Sequence, residues 1–460
     1  MATDMGGESQ HRHWQEMRER LKDHDPRVRQ EALETLMNAC REGEIACSPP
    51  RDVVNMHCHT FFSYNGYGHS PTSLAWLAKE RGWHALGTVD FDVLDGVEET
   101  LTACDTVGVR GTSGMETRVF CPTFSDTEFN SPGEPGVIYY VGVGFTPQPI
   151  PSSARDVLRD MRTRAAQRNK QMISRLNAYL DPVTIDYEED VLPLTPSGNA
   201  TERHMIIAYD RAARERYPER EDLLAYWARK LDLDVATVNE FLGDKPYPHN
   251  EIRSKLMKRG GVGYTQPDPD TFPPLEQVTE AIIASGAIPS YPFLDGTSEG
   301  EQDMDRLLRF LIDKGVGALT VIPDRNWNIE DPQLRAQKVD RLYQVLNLAR
   351  ALDLPVLAGT EMNKAGQRLV DDFESEALRP FHTDFMQGAD WLYGHTLMQR
   401  ALERGYQSEW AKEHLPGRTE RNAFYVQIGR LVEPGTDGLV RVARLNGVQR
   451  PTDILAQLRE

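Results

Sequence analysis

Nowhere does this 460-residue chain carry an apolar run long enough to cross a bilayer as a helix. It is also short of basic charge: 52 Lys and Arg against 70 Asp and Glu leave a net charge of −18. That balance argues against a nucleic-acid duplex or an anionic membrane surface as partner, yet leaves room for a local basic pocket holding a small anion. Cysteine is scarce. Cys40, Cys47, Cys58, Cys104 and Cys121 form no CxxC and no paired framework, so a reducing cytoplasm is the expected location. The opening Met1–Arg12 is polar, without the apolar stretch of a signal peptide. Low-complexity tracts are missing, and nothing in the pattern defines an oligomeric state.

What is present starts with His57-Cys58-His59, at the end of the apolar run Val53-Val54-Asn55-Met56. Side chains two apart on an extended segment point the same way, so both imidazoles can grip one ion. Cys58 then faces the other way, as a small core residue.

The chain reads as alternating strands and helices. A strand at Val53–Met56 is followed by a helix opened by Ser70-Pro71 and stopped at Gly82, then by a strand at Ala85–Val89. Helices at Leu275–Ser285, Met304–Asp313 and Gln333–Leu352 alternate with strands at Ala287–Tyr291, Ala318–Ile322 and Val356–Ala358. This rhythm implies parallel strands behind helices. Polar residues follow each strand: His57/His59, Asp90/Asp92, Tyr291/Asp295, Asp324/Arg325/Asn326 and Glu361/Asn363. In βα barrels such ends converge on one face, which predicts a shared site. Residues 181–274 lose the strand rhythm and read as short helices (Ala200–Tyr217, Glu221–Leu231, Asp234–Leu242), the pattern of an insertion. Residues 1–48 read as a helical extension, one helix from about His13 to Gly43, with barrel segments at 49–180 and 275–400. Residues 401–460 read as a helix followed by a strand pair, Ala423–Val432 and Gly438–Leu445.

Four motifs carry a family resemblance: His57-Cys58-His59-Thr60, Thr88-Val89-Asp90-Phe91-Asp92, Gly114-Met115-Glu116 and Gly359-Thr360-Glu361-Met362-Asn363. Together they resemble the PHP (polymerase and histidinol phosphatase) metal-dependent phosphoesterases, over roughly residues 50–400. Asn199-Ala200-Thr201-Glu202-Arg203-His204, followed by short helices, is similar to the helical insertion of that family's nucleoside-phosphate and nucleoside-bisphosphate phosphatases. The resemblance implies a distorted (β/α)7 barrel, an α/β fold, and a cluster of up to three metals. The chain departs from that pattern at Phe91, at Tyr139 or Tyr140, at Tyr291-Pro292, at Asn363 and at Tyr64 or Asn65, where the family places metal ligands. The ligands it keeps, His57, His59, Glu116 and Glu361, are implied to share one position, which suggests a single divalent ion, zinc, manganese or iron.

Around that set the candidates divide by chemistry. Asp90 and Asp92 suit a general base or the orientation of a ligand histidine, and Tyr139 and Tyr291 suit proton transfer. Arg203, His204, Arg325 and Lys364 suit an anion clamp, while Asp324, Asn363 and His395 stand at loop positions fit for polar contacts. The leading expectation is a metal-dependent hydrolase, a phosphoesterase acting on a small phosphorylated metabolite or nucleotide. Two alternatives are a single-metal lyase or isomerase acting on a polyhydroxylated sugar or sugar acid, and a non-catalytic binding protein on a degenerate barrel.

Overall fold

In the computed structural model, residues 5–460 are described. Seven strands form one sheet in chain order: β1 (Arg51–Cys58), β2 (Trp83–Phe91), β3 (Arg110–Phe120), β4 (Val137–Val143), β5 (Ile288–Phe293), β6 (Ala318–Val321) and β7 (Val356–Ala358). The sheet curls into a nearly closed barrel. Its seam is the parallel bridge between Cys58 and Glu361, where the His59 amide donates to the Glu361 carbonyl at 2.7 Å and the Glu361 amide to the His57 carbonyl at 2.8 Å. The α/β barrel is therefore of the distorted seven-stranded kind.

The expectation of parallel strands throughout needs one correction. β4 runs antiparallel to both β3 and β5. β3 and β4 are joined by residues 121–136, whose only helical piece is the single turn Pro122–Phe124, and a crossover helix is what a parallel neighbour requires. As a result, the start of β4 lies at the same rim as the ends of the other strands.

Local chemistry explains the helix starts. Ser70 accepts the Ser73 amide and precedes Pro71, and Gly82 closes that helix in the left-handed region at φ +67°. The single helix expected at the N-terminus is two, Met5–Arg20 and Pro26–Arg41, because Asp25 caps and Pro26 starts a second one.

The C-terminal strand pair is also corrected. Residues 423–431 belong to the helix Arg418–Leu431, and residues 438–445 largely to the helix Thr436–Ala443. Their β-branched content suggested strands, but Phe424, Tyr425 and Ile428 bury one helical face against the helix His382–Leu402. Glycine permits the close approach: a Cβ on Gly394 would lie 2.0 Å from the Tyr425 carbonyl oxygen, and one on Gly429 2.0 Å from that of Asp390.

Among the described residues three large apolar clusters result, beside a small one of Phe61, Phe62 and Val93. The largest fills the barrel wall and its outer helices. A second, including Leu176, Tyr209, Trp227 and Met257, belongs to the helices between β4 and β5. The third seats the N-terminal helix pair against the helix Pro71–Arg81. Among the described residues, no helix is long and apolar enough to cross a membrane.

Candidate metal centre

The barrel rim brings His57, His59 and Glu116 together. β1 and the residue after it present both imidazoles, and β3 presents the carboxylate. Glu116 Oε2 lies 3.1 Å from His59 Nε2 and 3.4 Å from His57 Nε2. One ligand atom from each residue falls within 4.8 Å of the others, and all three side chains are buried. Burial alone would raise the Glu116 carboxyl, but the two imidazoles hold it well below its ordinary range. His57 Nε2, His59 Nε2 and Glu116 Oε2 complete no hydrogen bond. Leaving such atoms buried and unpaired costs about 1–3 kcal/mol each. A cation in their midst would relieve that cost, and two imidazoles with one carboxylate leave a coordination position open. The residues present thus fit a divalent ion.

Behind this set the hydrogen bonds orient His59. Asp90 is fully buried and receives the Thr60 amide at 2.9 Å, the Thr60 hydroxyl at 2.7 Å and the Ser63 hydroxyl at 2.6 Å. Because Ser63 gives its proton to Asp90, its oxygen accepts from His59 Nδ1 at 3.1 Å. The network therefore assigns the proton to Nδ1 and leaves the Nε2 lone pair facing Glu116. Burial raises the Asp90 carboxyl, and the hydrogen bonds from Ser63 and Thr60 oppose the rise. Ser63 was not legible as a site residue in the sequence.

Glu361 stands beside the three. It holds a left-handed backbone (φ +62°), and its two carboxylate oxygens are already occupied, one by Arg325 at 2.5 Å and the other by the Asn363 amide at 2.9 Å. It is not among the residues whose ligand atoms converge. Phe91 stacks on His59 with ring centroids 4.5 Å apart at 27°.

The remaining candidates scatter. Asp92, in the left-handed region at φ +59°, accepts the Thr117 hydroxyl at 2.6 Å and has Arg168 at 4.0 Å. Tyr139 sits at the start of β4 opposite Arg118, whose guanidinium lies 5.7 Å from its ring centre, and burial keeps its phenol protonated. Arg203 reaches from the helix Glu202–Arg216 over Tyr64. His204 caps that helix through Thr201, and burial lowers its pKa to about 3. Asp324 pairs with Arg368 at 3.1 Å and Lys364 is exposed.

Two candidates belong elsewhere. Tyr291 donates to Glu301 at 2.8 Å, and that carboxylate also collects the amides of Leu294, Asp295 and Gly296. Phe293, on the same face of β5, lines a cavity with Met304 and Leu348 of the outer helices, so Tyr291 points out of the barrel. His395 is buried in the helix His382–Leu402, where Nε2 donates to the Gly144 carbonyl at 3.0 Å and Nδ1 accepts the Tyr406 amide at 2.9 Å. Neither nitrogen is left for a substrate. The Tyr291 phenol and the His395 imidazole are packing groups with satisfied hydrogen bonds.

No family model matches the chain. No curated protein matches it either. Among solved structures it is similar to an amidohydrolase from Chromobacterium violaceum, with 16% identity, a TM-score of 0.48, and coverage of 73% of this chain and 96% of that one. It is similar also to a protein from Bifidobacterium adolescentis assigned as a metal-dependent phosphoesterase, with 20% identity, a TM-score of 0.45, and coverage of 73% and 98%.

Proposed function

We propose that this protein is a metal-dependent hydrolase, a phosphoesterase acting on a small phosphorylated metabolite or nucleotide with one divalent ion. The observation that carries the reading is the convergence of three buried, unpaired ligand atoms, on His57, His59 and Glu116, at the barrel rim. These three residues would hold the ion. When bound, it supplies Lewis acidity toward a phosphoryl oxygen and favours deprotonation of water.

The chain's own groups have defined work in that reaction. The Asp90–Ser63 pair keeps His59 in the Nδ1-protonated form. Arg325 offers a guanidinium beside Glu361, with about two-fifths of its side chain open to solvent, and can turn a donor toward a phosphoryl oxygen. Tyr139, whose phenol burial keeps protonated, would give a proton to the departing oxygen. Phe91 seals one side of the His59 ring from water.

The test is metal analysis of the purified chain followed by a screen against phosphate monoesters. One equivalent of metal and turnover that is lost in Glu116→Gln support the reading. Bound metal with no turnover on any phosphate ester removes the phosphoesterase assignment, and a metal content near zero removes the hydrolase one.

A further inference from the structure

The five cysteines divide by environment. Cys58 at the end of β1, Cys104 in the helix Val97–Val107 and Cys121 just after β3 are fully buried. Cys40 and Cys47 are half-buried free thiols that face each other, with their Sγ atoms 2.7 Å apart. Cys40 lies in the last turn of the helix Pro26–Arg41, and Cys47 in the segment that leads to β1.

Backbone contacts, rather than the sulfurs, set this meeting. Gly43, at φ +78°, turns the chain out of the helix, and the amides of Glu44 and Ile45 return to the Ala39 carbonyl at 2.8 and 3.3 Å. Beyond Cys47, the Ser48 amide donates to the Glu80 carbonyl at 2.9 Å and the Arg51 amide to the Gly82 carbonyl at 2.7 Å. Gly82 admits that segment because it has no side chain: a Cβ there would lie 2.1 Å from the Pro49 carbonyl oxygen. Cys47 is thus pinned from both sides beside the helix end. Two thiols so placed exchange only a weak hydrogen bond. Bonded sulfurs sit about 2.05 Å apart, so a shift of less than about 1 Å would join them.

The helix is already fastened at its start. Arg29 Nε donates to Glu99 at 2.8 Å, Nη1 donates to the carbonyls of Asp23 and His24 at 2.6 and 3.0 Å, and the guanidinium lies 5.1 Å from the ring centre of Phe61. A bond at Cys40 would fasten its end as well.

We propose that Cys40 and Cys47 are a reversible redox pair, closed to a disulfide by a small-molecule disulfide oxidant, which fastens the end of the N-terminal helix pair to the segment feeding β1. Burial, with the hydrogen bond to Cys40 next, pushes the Cys47 thiol up to about 12, so the first attack falls to Cys40. The Cys40 thiolate, its proton lost to solvent, attacks one sulfur of the oxidant and expels a thiolate. Cys47 then gives up its proton, attacks the Cys40 sulfur of the mixed disulfide and expels the second thiolate. Two protein thiols are oxidised to one disulfide, the oxidant is reduced to two thiols, and the two protons end on the released thiolates. The hydrolase reading plays no part in this pair.

The test equilibrates the full-length chain with set ratios of oxidised to reduced glutathione, alkylates the remaining thiols before and after unfolding, and maps the bonds by peptide mass spectrometry. A Cys40–Cys47 bond is expected in oxidising buffer and is lost again in reduced glutathione, while Cys58, Cys104 and Cys121 become alkylated only after unfolding. The closed loop is short, so the oxidised form should melt only about 2–4 °C above the reduced one. In Cys47→Ser the oxidant should stop at a glutathione adduct on Cys40, with no rise in melting temperature. Thiols that stay reduced, or that each carry glutathione at the most oxidising ratio, overturn the pair, as does a bond to one of the three buried cysteines. A rise in melting temperature that survives in Cys47→Ser overturns the fastening.

Discussion

Ser63 accepts the Nδ1 proton of His59 at 3.1 Å while donating its own proton to Asp90 at 2.6 Å. One hydroxyl thus decides which nitrogen of a candidate ligand is free. Outer partners of ligating histidines usually contribute 10–100-fold to metal affinity. Ser63→Ala should weaken metal binding by about tenfold with little change in melting temperature. Competition titration against a metallochromic chelator measures this, and an unchanged affinity would contradict the assigned tautomer.

Glu116→Gln and His59→Ala should each abolish metal retention, because each removes one of the three atoms that converge among the described residues. Tyr291→Phe should keep the metal. It removes the phenol that donates to Glu301 at 2.8 Å, leaving three backbone donors on that carboxylate. A loss of about 1–2 kcal/mol in urea unfolding is expected, with metal stoichiometry by mass spectrometry equal to wild type. Emptying of the site in Tyr291→Phe would place the phenol in the centre after all.

Gly359 marks where the backbone after β7 passes β1. A Cβ there would lie 2.4 Å from the Cβ of His57 and 2.5 Å from its backbone nitrogen. Gly359→Ala must therefore displace His57 or its strand. The expected cost is about 1–3 kcal/mol of stability together with weaker metal binding. Wild-type melting and wild-type affinity together would show that the two backbones are further apart than described.

Asp371 gives a pH dependence away from the centre. It is buried, it accepts Trp327 Nε1 at 2.9 Å through Oδ1, and its Oδ2 has no partner. Burial pushes its carboxyl up to about 6. Since the folded value exceeds the unfolded one of about 3.9, the folded state holds this proton more tightly. The contribution to stability is present in full below about pH 4 and is lost as pH rises through about 6. Asp371→Asn keeps the Oδ1 acceptor and removes the ionisation, so it should be more stable than wild type at pH 8 by on the order of 2–3 kcal/mol, with no gain at pH 4. Denaturant unfolding at the two pH values checks the sign.

Much of the barrel was legible because its signals are local. Periodicity and caps placed Met304–Asp313 and Val356–Ala358 at their observed bounds, and the two-residue alternation placed His57 and His59 side by side. Where long-range packing overrides local preference, the reading failed. Residues 423–431 carry β-forming side chains yet form a helix, because glycines at 394 and 429 let two helix backbones approach within reach of each other's carbonyls. The direction of β4 likewise depends on a connection without a crossover helix, a property of the whole β3–β4 segment rather than of any residue in it.

The sequence by itself determined which residues could ligate a metal and that strands would carry them to one rim, since both follow from residue type and from spacing along an extended chain. Only the tertiary structure decided how those candidates divide. It turned Tyr291 outward and buried His395 between two backbone partners. It engaged Glu361 with Arg325 and Asn363, and it gathered Arg118 and Arg168 from distant elements onto one phenyl ring. The physical reason is that charge pairing and hydrogen-bond satisfaction act through space at distances of a few ångströms, between groups whose separation along the chain gives no hint that they will meet.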